Sequence, residues 1–156
     1  MSDGLLTLKD LLSLNLADNN QGIRLAILSA CETGLPGLDI IDEVVSLPIG
    51  LLQAGVAGIV ASLWSVDEFS TILLLVKFYD TWRNHNQDAS ESLRQAQRWL
   101  RDTTNQEKSC YFVQQAGQTI PKEVAEYLAV RMELEIPDER NFAHPYHWAA
   151  FGYTGV

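Results

Sequence analysis

Arg24-Leu-Ala-Ile-Leu-Ser-Ala-Cys31 is a short, unbroken apolar run, preceded by the turn cluster Asp18-Asn-Asn-Gln-Gly22 and followed by Glu32-Thr-Gly-Leu-Pro-Gly-Leu-Asp39. A run bounded in this way suits a strand buried on both faces, the condition of a parallel sheet covered by helices. The Gly- and Pro-containing segment after it is then a loop at the strand's carboxyl end. Val56–Trp64 (Val-Ala-Gly-Ile-Val-Ala-Ser-Leu-Trp) reads as a second buried strand. Between the two, Pro48 fits the first turn of a helix running through Leu51 and Leu52, and Gly55 fits its stop.

Working outward, residues 4–16 open with Thr7 three positions before Asp10, a weak capping-box start for a short amphipathic helix carrying Leu8, Leu11 and Leu12. Downstream, Ser65 and Glu68 have capping-box spacing ahead of a long helix near residues 67–84, with Ile72, Leu75, Val76, Tyr79 and Trp82 as its inner stripe. Asp88, with Glu91 three residues on, caps another helix whose apolar face is Leu93, Ala96, Leu100 and the nearby Trp99. A further helix runs from Pro121 to about Glu133, and His147-Trp-Ala-Ala-Phe-Gly-Tyr153 reads as a terminal strand. This order predicts an α/β fold with a mainly parallel sheet. Sites in such sheets form at the carboxyl ends of strands. Cys31-Glu-Thr-Gly34 and Ser65-Val-Asp-Glu68 both fall at such ends.

The 156 residues predict one domain, and 47% hydrophobic against 20% charged residues is enough apolar content for a core, which excludes global disorder. Eleven Lys and Arg against 20 Asp and Glu give a net charge of −9. That argues against nucleic-acid and anionic-membrane partners, which require a basic footprint. No run approaches the roughly 18 apolar residues of a membrane span, and the start Met-Ser-Asp-Gly does not read as a signal peptide. Two cysteines, Cys31 and Cys110, are too few for a disulfide scaffold, so the expected compartment is the cytoplasm.

A cysteine at the end of a buried strand is well placed to be a nucleophile, with loop N–H groups available to an oxyanion. Position alone favours a packed thiol, since cysteine is among the most buried residue types. A nucleophilic thiol also needs a lowered pKa, normally from a histidine. The histidines are His85, His144 and His147.

Leu28-Ser-Ala-Cys-Glu-Thr-Gly34, with Leu47-Pro, Leu52-Gln-Ala-Gly55, Ala61-Ser-Leu-Trp-Ser-Val-Asp67 and His144-Pro-Tyr-His-Trp-Ala-Ala-Phe151, closely resembles the CHAT family across nearly the whole chain. These are caspase-like domains, often attached to tetratricopeptide (TPR) repeats. The resemblance implies the caspase-type α/β sandwich of clan CD cysteine peptidases, with a mainly parallel central sheet. It implies Cys31 as nucleophile, with its own backbone N–H contributing to the oxyanion hole. It also implies a catalytic histidine before the cysteine, in a His-Gly motif, and no histidine precedes Cys31 in this sequence. The expectation is a partial CHAT domain over residues 1–156, incomplete at its N-terminus and inactive alone. Without an imidazole, a thiol near its ordinary pKa of about 8.5 is mostly protonated at neutral pH.

The resemblance gives His144 a structural role before the last strand, while His147 stands where the family commonly has an aromatic residue. His85 ends a helix, where an imidazolium would be favoured by the dipole and solvated. Asp67 reads two ways: as a carboxylate lining the pocket for a substrate's basic side chain, as in related clan CD peptidases, or as a helix-starting acid. Glu32 borders the nucleophile and would modulate its electrostatics, though an exposed loop acid is the commoner case. Asp39, Asp42 and Glu43 match no calcium-loop spacing and read as a solvated acidic loop. Cys31, Cys110, His144 and His147 contain no Cys-x-x-Cys, and Pro145 interrupts the His pair, so no metal is expected. No phosphate-cradling glycine motif is present, and no cofactor is expected. The expected partners are a protein or peptide substrate and a complementing N-terminal segment or TPR protein. A missing sheet portion would leave an unpaired edge, so self-association is a further expectation. The alternatives to an inactive peptidase portion are a split peptidase completed by a partner and a non-catalytic interaction module or remnant.

Overall fold

The computed structural model of the chain describes residues 22–29, 40–84 and 87–156. The helix expected within residues 4–16, the loop after Cys31 and His85 lie outside the described residues. The chain forms two compact units, one comprising Met1–Ser65 with Phe151–Val156 and the other Val66–Ala150.

In the first unit the described elements are β1 (Ala26–Leu28), α1 (Ile40–Gln53), β2 (Gly58–Ser62) and β3 (Phe151–Gly155), with strand order β1-β2-β3. β1 runs parallel to β2 with Ala26 opposite Ile59, and β3 runs antiparallel to it with Ser62 opposite Phe151. The fold is therefore mixed α/β. β2 is buried at nearly every position, as its unbroken apolar run predicts, whereas Ala26, Ile27 and Leu28 are half-buried. Leu51, Val56 and Ile59 form a buried apolar cluster in this unit, and Ala26, Leu28, Leu47, Leu52 and Ala61 pack against it. In the register of the two strands, Ala26 and Leu28 stand beside Ile59 and Ala61, so α1 covers one face of the sheet.

Pro48 does not start α1 as expected; the helix begins at Ile40 and carries the proline in its interior. The ring removes one backbone hydrogen bond there, a cost that the helix bears while burying Leu51. Gly55 is the stop, as expected. Its φ of 102° lets its N–H reach the carbonyl of Leu52 while the Val56 N–H reaches that of Leu51. This is the Schellman closure, completed by apolar contact between Val56 and Leu51.

The second unit holds α2 (Glu68–Tyr79), a π-helical turn (Asp80–Asn84), α3 (Ala89–Asp102), α4 (Asn105–Gln115), α5 (Lys122–Glu133) and the single turn α6 (Pro145–Trp148). α4 packs on α5, and α2 packs on α3 and α6. Leu93, Ala96 and Leu100 of α3 are buried as their spacing predicts. The inner stripe of α2 is instead Leu73, Leu74 and Phe78, with Tyr79 exposed. Ile72-Leu-Leu-Leu-Val76 is apolar on every side, so periodicity cannot select the buried face. α4 has no counterpart in the sequence reading. The expected strand over 147–153 is also shorter: Pro145 and its cap hold residues 145–148 in a helical turn, and extended backbone begins only at Phe151, where β2 offers a partner. Among the described residues, no helix is long and apolar enough to cross a membrane.

Candidate functional site

The parallel pairing of β1 and β2 sends the carboxyl ends of both strands to one edge of the sheet. Cys31 follows the last residue of β1 by three positions in sequence. Cys31 and Glu32 themselves lie outside the described residues.

Asp67 is the N-cap of α2. Its Oδ1 accepts the Ser70 N–H at 2.8 Å, while its carbonyl accepts the hydroxyls of Ser70 and Thr71 at 3.0 and 2.9 Å. The capping residue is thus Asp67 and not Ser65, whose buried hydroxyl has no hydrogen-bond partner. An Asp at this position satisfies orphan N–H groups and meets the positive end of the helix dipole.

Two histidines sit at the α6 turn in the same unit. His144 is its N-cap, with Nδ1 accepting the Tyr146 N–H at 3.2 Å. That bond commits one ring nitrogen to the turn and requires it to be unprotonated. His147 is half-buried, with its ring edge-on to Phe142 and Tyr146 at 5.4 and 5.3 Å between centroids. Its buried Nδ1 has no hydrogen-bond partner. Burial lowers its pKa below the ordinary value; Asp67 pulls in the opposite direction and His144 reinforces the lowering. Burial thus favours the neutral imidazole of His147, with Asp67 in electrostatic range. The turn is tied down by Trp148, whose indole N–H donates to Ala143 and whose carbonyl accepts from Gln97 of α3 at 3.0 Å.

A polar cluster that the sequence reading did not single out surrounds Asp80 in the π-helical turn. Its carboxylate accepts from Tyr111 Oη and from Asn84 Nδ2 at 3.0 Å, and Lys77 Nζ lies 3.8 Å away. Lys77 also stands 4.1 Å from the centre of the Tyr111 ring. Burial alone would raise the Asp80 pKa, but hydrogen bonds from Tyr111, Asn84 and Thr119 with the charge of Lys77 outweigh it and hold the carboxyl below its ordinary value. The available signal was the spacing Lys77-x-x-Asp80-x-x-x-Asn84, which places three polar groups on one helical stripe. The cluster is fully occupied by its own partners and reads as structural.

Among the described residues, no group of three or more His, Cys, Asp or Glu side chains could hold a metal ion. The family model described as CHAT domain matches residues 1–156. No curated protein and no solved structure matches the chain.

Proposed function

The chain belongs to the CHAT domain family, a caspase-like, peptidase-related family, and on that premise we propose that residues 1–156 are the nucleophile-bearing portion of a cysteine endopeptidase, inactive by themselves. In this reading they form one CHAT domain with a caspase-like sandwich and a mainly parallel central sheet. The Cys31 thiolate attacks the carbonyl carbon of a peptide bond, and the backbone N–H of Cys31 donates to the resulting oxyanion. Collapse expels the amine, which takes a proton from an imidazolium, and leaves a thioester; water then releases the acid and restores the thiol. The imidazole comes from outside these residues, on a complementing segment or a TPR-bearing partner in the cytoplasm. Asp67 and Glu32 contact the substrate, with Asp67 selecting a basic side chain.

The observation that supports this most directly is the parallel β1–β2 pair followed in sequence by Cys31-Glu-Thr-Gly34. Labelling by an electrophilic peptide ketone with a basic side chain tests both parts, in a Cys110→Ser background because Cys110 is exposed. Labelling should be slow at pH 7, rise through the ordinary thiol range near about pH 8.5, and vanish in Cys31→Ala. Fast labelling at pH 7 that depends on Cys31 would overturn inactivity. Labelling that never depends on Cys31 would overturn the nucleophile.

A further inference from the structure

α5 faces its core through Ala125, Leu128, Ala129 and Met132. The opposite side is the most solvated line on the helix, where charge is the rule. Tyr127, Val130 and Leu134, 55%, 56% and 77% exposed, stand there beside one charge, Glu123 in the first turn. At about 100° per residue they share an arc of about 60°. Leu134 is the C-cap and keeps helical backbone angles, so it continues the line. Single exposed apolar residues need no explanation, but a row in one seam marks a contact surface.

The spacing of three and then four residues is that of a helix-pairing seam. With Tyr127 and Leu134 at a and Val130 at d, Glu126 and Glu133 occupy g, while Val124 and Arg131 occupy e. In a parallel pair, a g residue faces the e residue five positions further along the other helix. Glu126 therefore faces Arg131 of a second copy, twice by symmetry, in exchange for contacts within the chain, Glu126 with Lys122 at 3.6 Å and Arg131 over the Phe69 ring at 4.8 Å. An antiparallel pair would instead set Glu126 against Glu133. The acidic g flank also disfavours an anionic membrane as the occupant. We propose that α5 is a self-association surface, with two copies pairing in parallel along Tyr127, Val130 and Leu134 and fixed in register by reciprocal Glu126–Arg131 pairs.

A seam this short supports a weak dimer, on the order of 100 µM. Sedimentation equilibrium of the full chain from about 10 µM to about 1 mM covers that range. The dimer fraction should rise with concentration, and Leu134→Glu should weaken association about tenfold or more. Glu126→Arg and Arg131→Glu should each weaken it, and the two together should restore it to within about twofold, since opposite charges then face each other again. All three side chains are on the surface, and unchanged helical circular dichroism would verify folding. If Leu134→Glu fails to fold, the charge-reversal set decides alone. A chain that stays monomeric throughout overturns the proposal in favour of a different partner. Association that survives Leu134→Glu moves the interface elsewhere, and strengthening by Glu126→Arg refutes the parallel pairing.

Discussion

Lys108 is fully buried on α4, with Nζ donating to the Thr103 carbonyl at 2.6 Å and lying 5.6 Å from the ring centres of both Trp99 and Phe142. Burial pushes its pKa down to about 8, against the opposing pull of Glu107. An unfolded lysine titrates near its ordinary value of about 10.4. Between those values the unfolded chain binds more protons than the folded one, so stability rises as pH increases through that window. Burial lowers the Lys77 pKa too, which acts in the same direction. Denaturant midpoints taken from pH 7.5 to about 9.5 should therefore climb, by about 1–2 kcal/mol after allowance for solvent screening. Lys108→Met, similar in length and uncharged, should remove most of the climb and leave the smaller part due to Lys77. A flat profile in the unmodified chain would contradict this account. Nothing in the sequence marks Lys108, because lysine is almost never fully buried and its aromatic neighbours come from α3 and from the segment before α6. Asp67 was legible as a helix-starting acid, since the cap is made within its own turn.

At the scale of elements, local signals survive and long-range ones do not. Thr104 and Glu107 form a complete capping box: the Thr104 Oγ1 accepts the Glu107 N–H at 3.2 Å, and Glu107 Oε2 accepts the Thr104 N–H at 2.7 Å. Thr104→Ala leaves one of these donors without its acceptor and should lower stability by about 1 kcal/mol. Thr104→Ser keeps the oxygen and should recover most of that loss in the same thermal melts. If the two variants melt alike, the cap contributes nothing. The box was readable in Thr104-Asn-Gln-Glu107, but the segment after it has no clean apolar stripe, so α4 escaped notice. α3 was legible because its apolar residues recur on one side only, and α5 because Pro121 marks its start. For α2 the apolar run was too rich to choose a face. For α1 the proline suggested a later start than Ile40, but an interior ring removes one helical hydrogen bond without ending the helix.

For the whole molecule, the alternation of strands and helices gave the α/β class, but pairing directions had to come from partners distant in sequence. β3 lies roughly ninety residues beyond β2, yet pairs with it along the strand from Gly58–Gly155 to Ser62–Phe151. Nothing local in Phe151–Gly155 shows that direction. Gly58 lies under the tyrosine of β3: a Cβ there would come within 2.6 Å of Tyr153 Oη, so a larger residue would have to displace the outer end of that ring. The division of the chain follows from the same pairing, since the last six residues complete the first unit while Val66–Ala150 contains every element of the second. Ending the chain at Ala150 should therefore act unequally. β2 loses its antiparallel neighbour, and the amides of Gly58–Ser62 should exchange with solvent at least about tenfold faster. The α4–α5 pair keeps all its partners, so amides in Asn105–Gln115 and Lys122–Glu133 should keep protection within about threefold. Hydrogen exchange read by mass spectrometry resolves both segments in one sample. Equal loss of protection in β2 and in α4–α5 would mean that the units unfold as one body, and the local reading of β3 would fail.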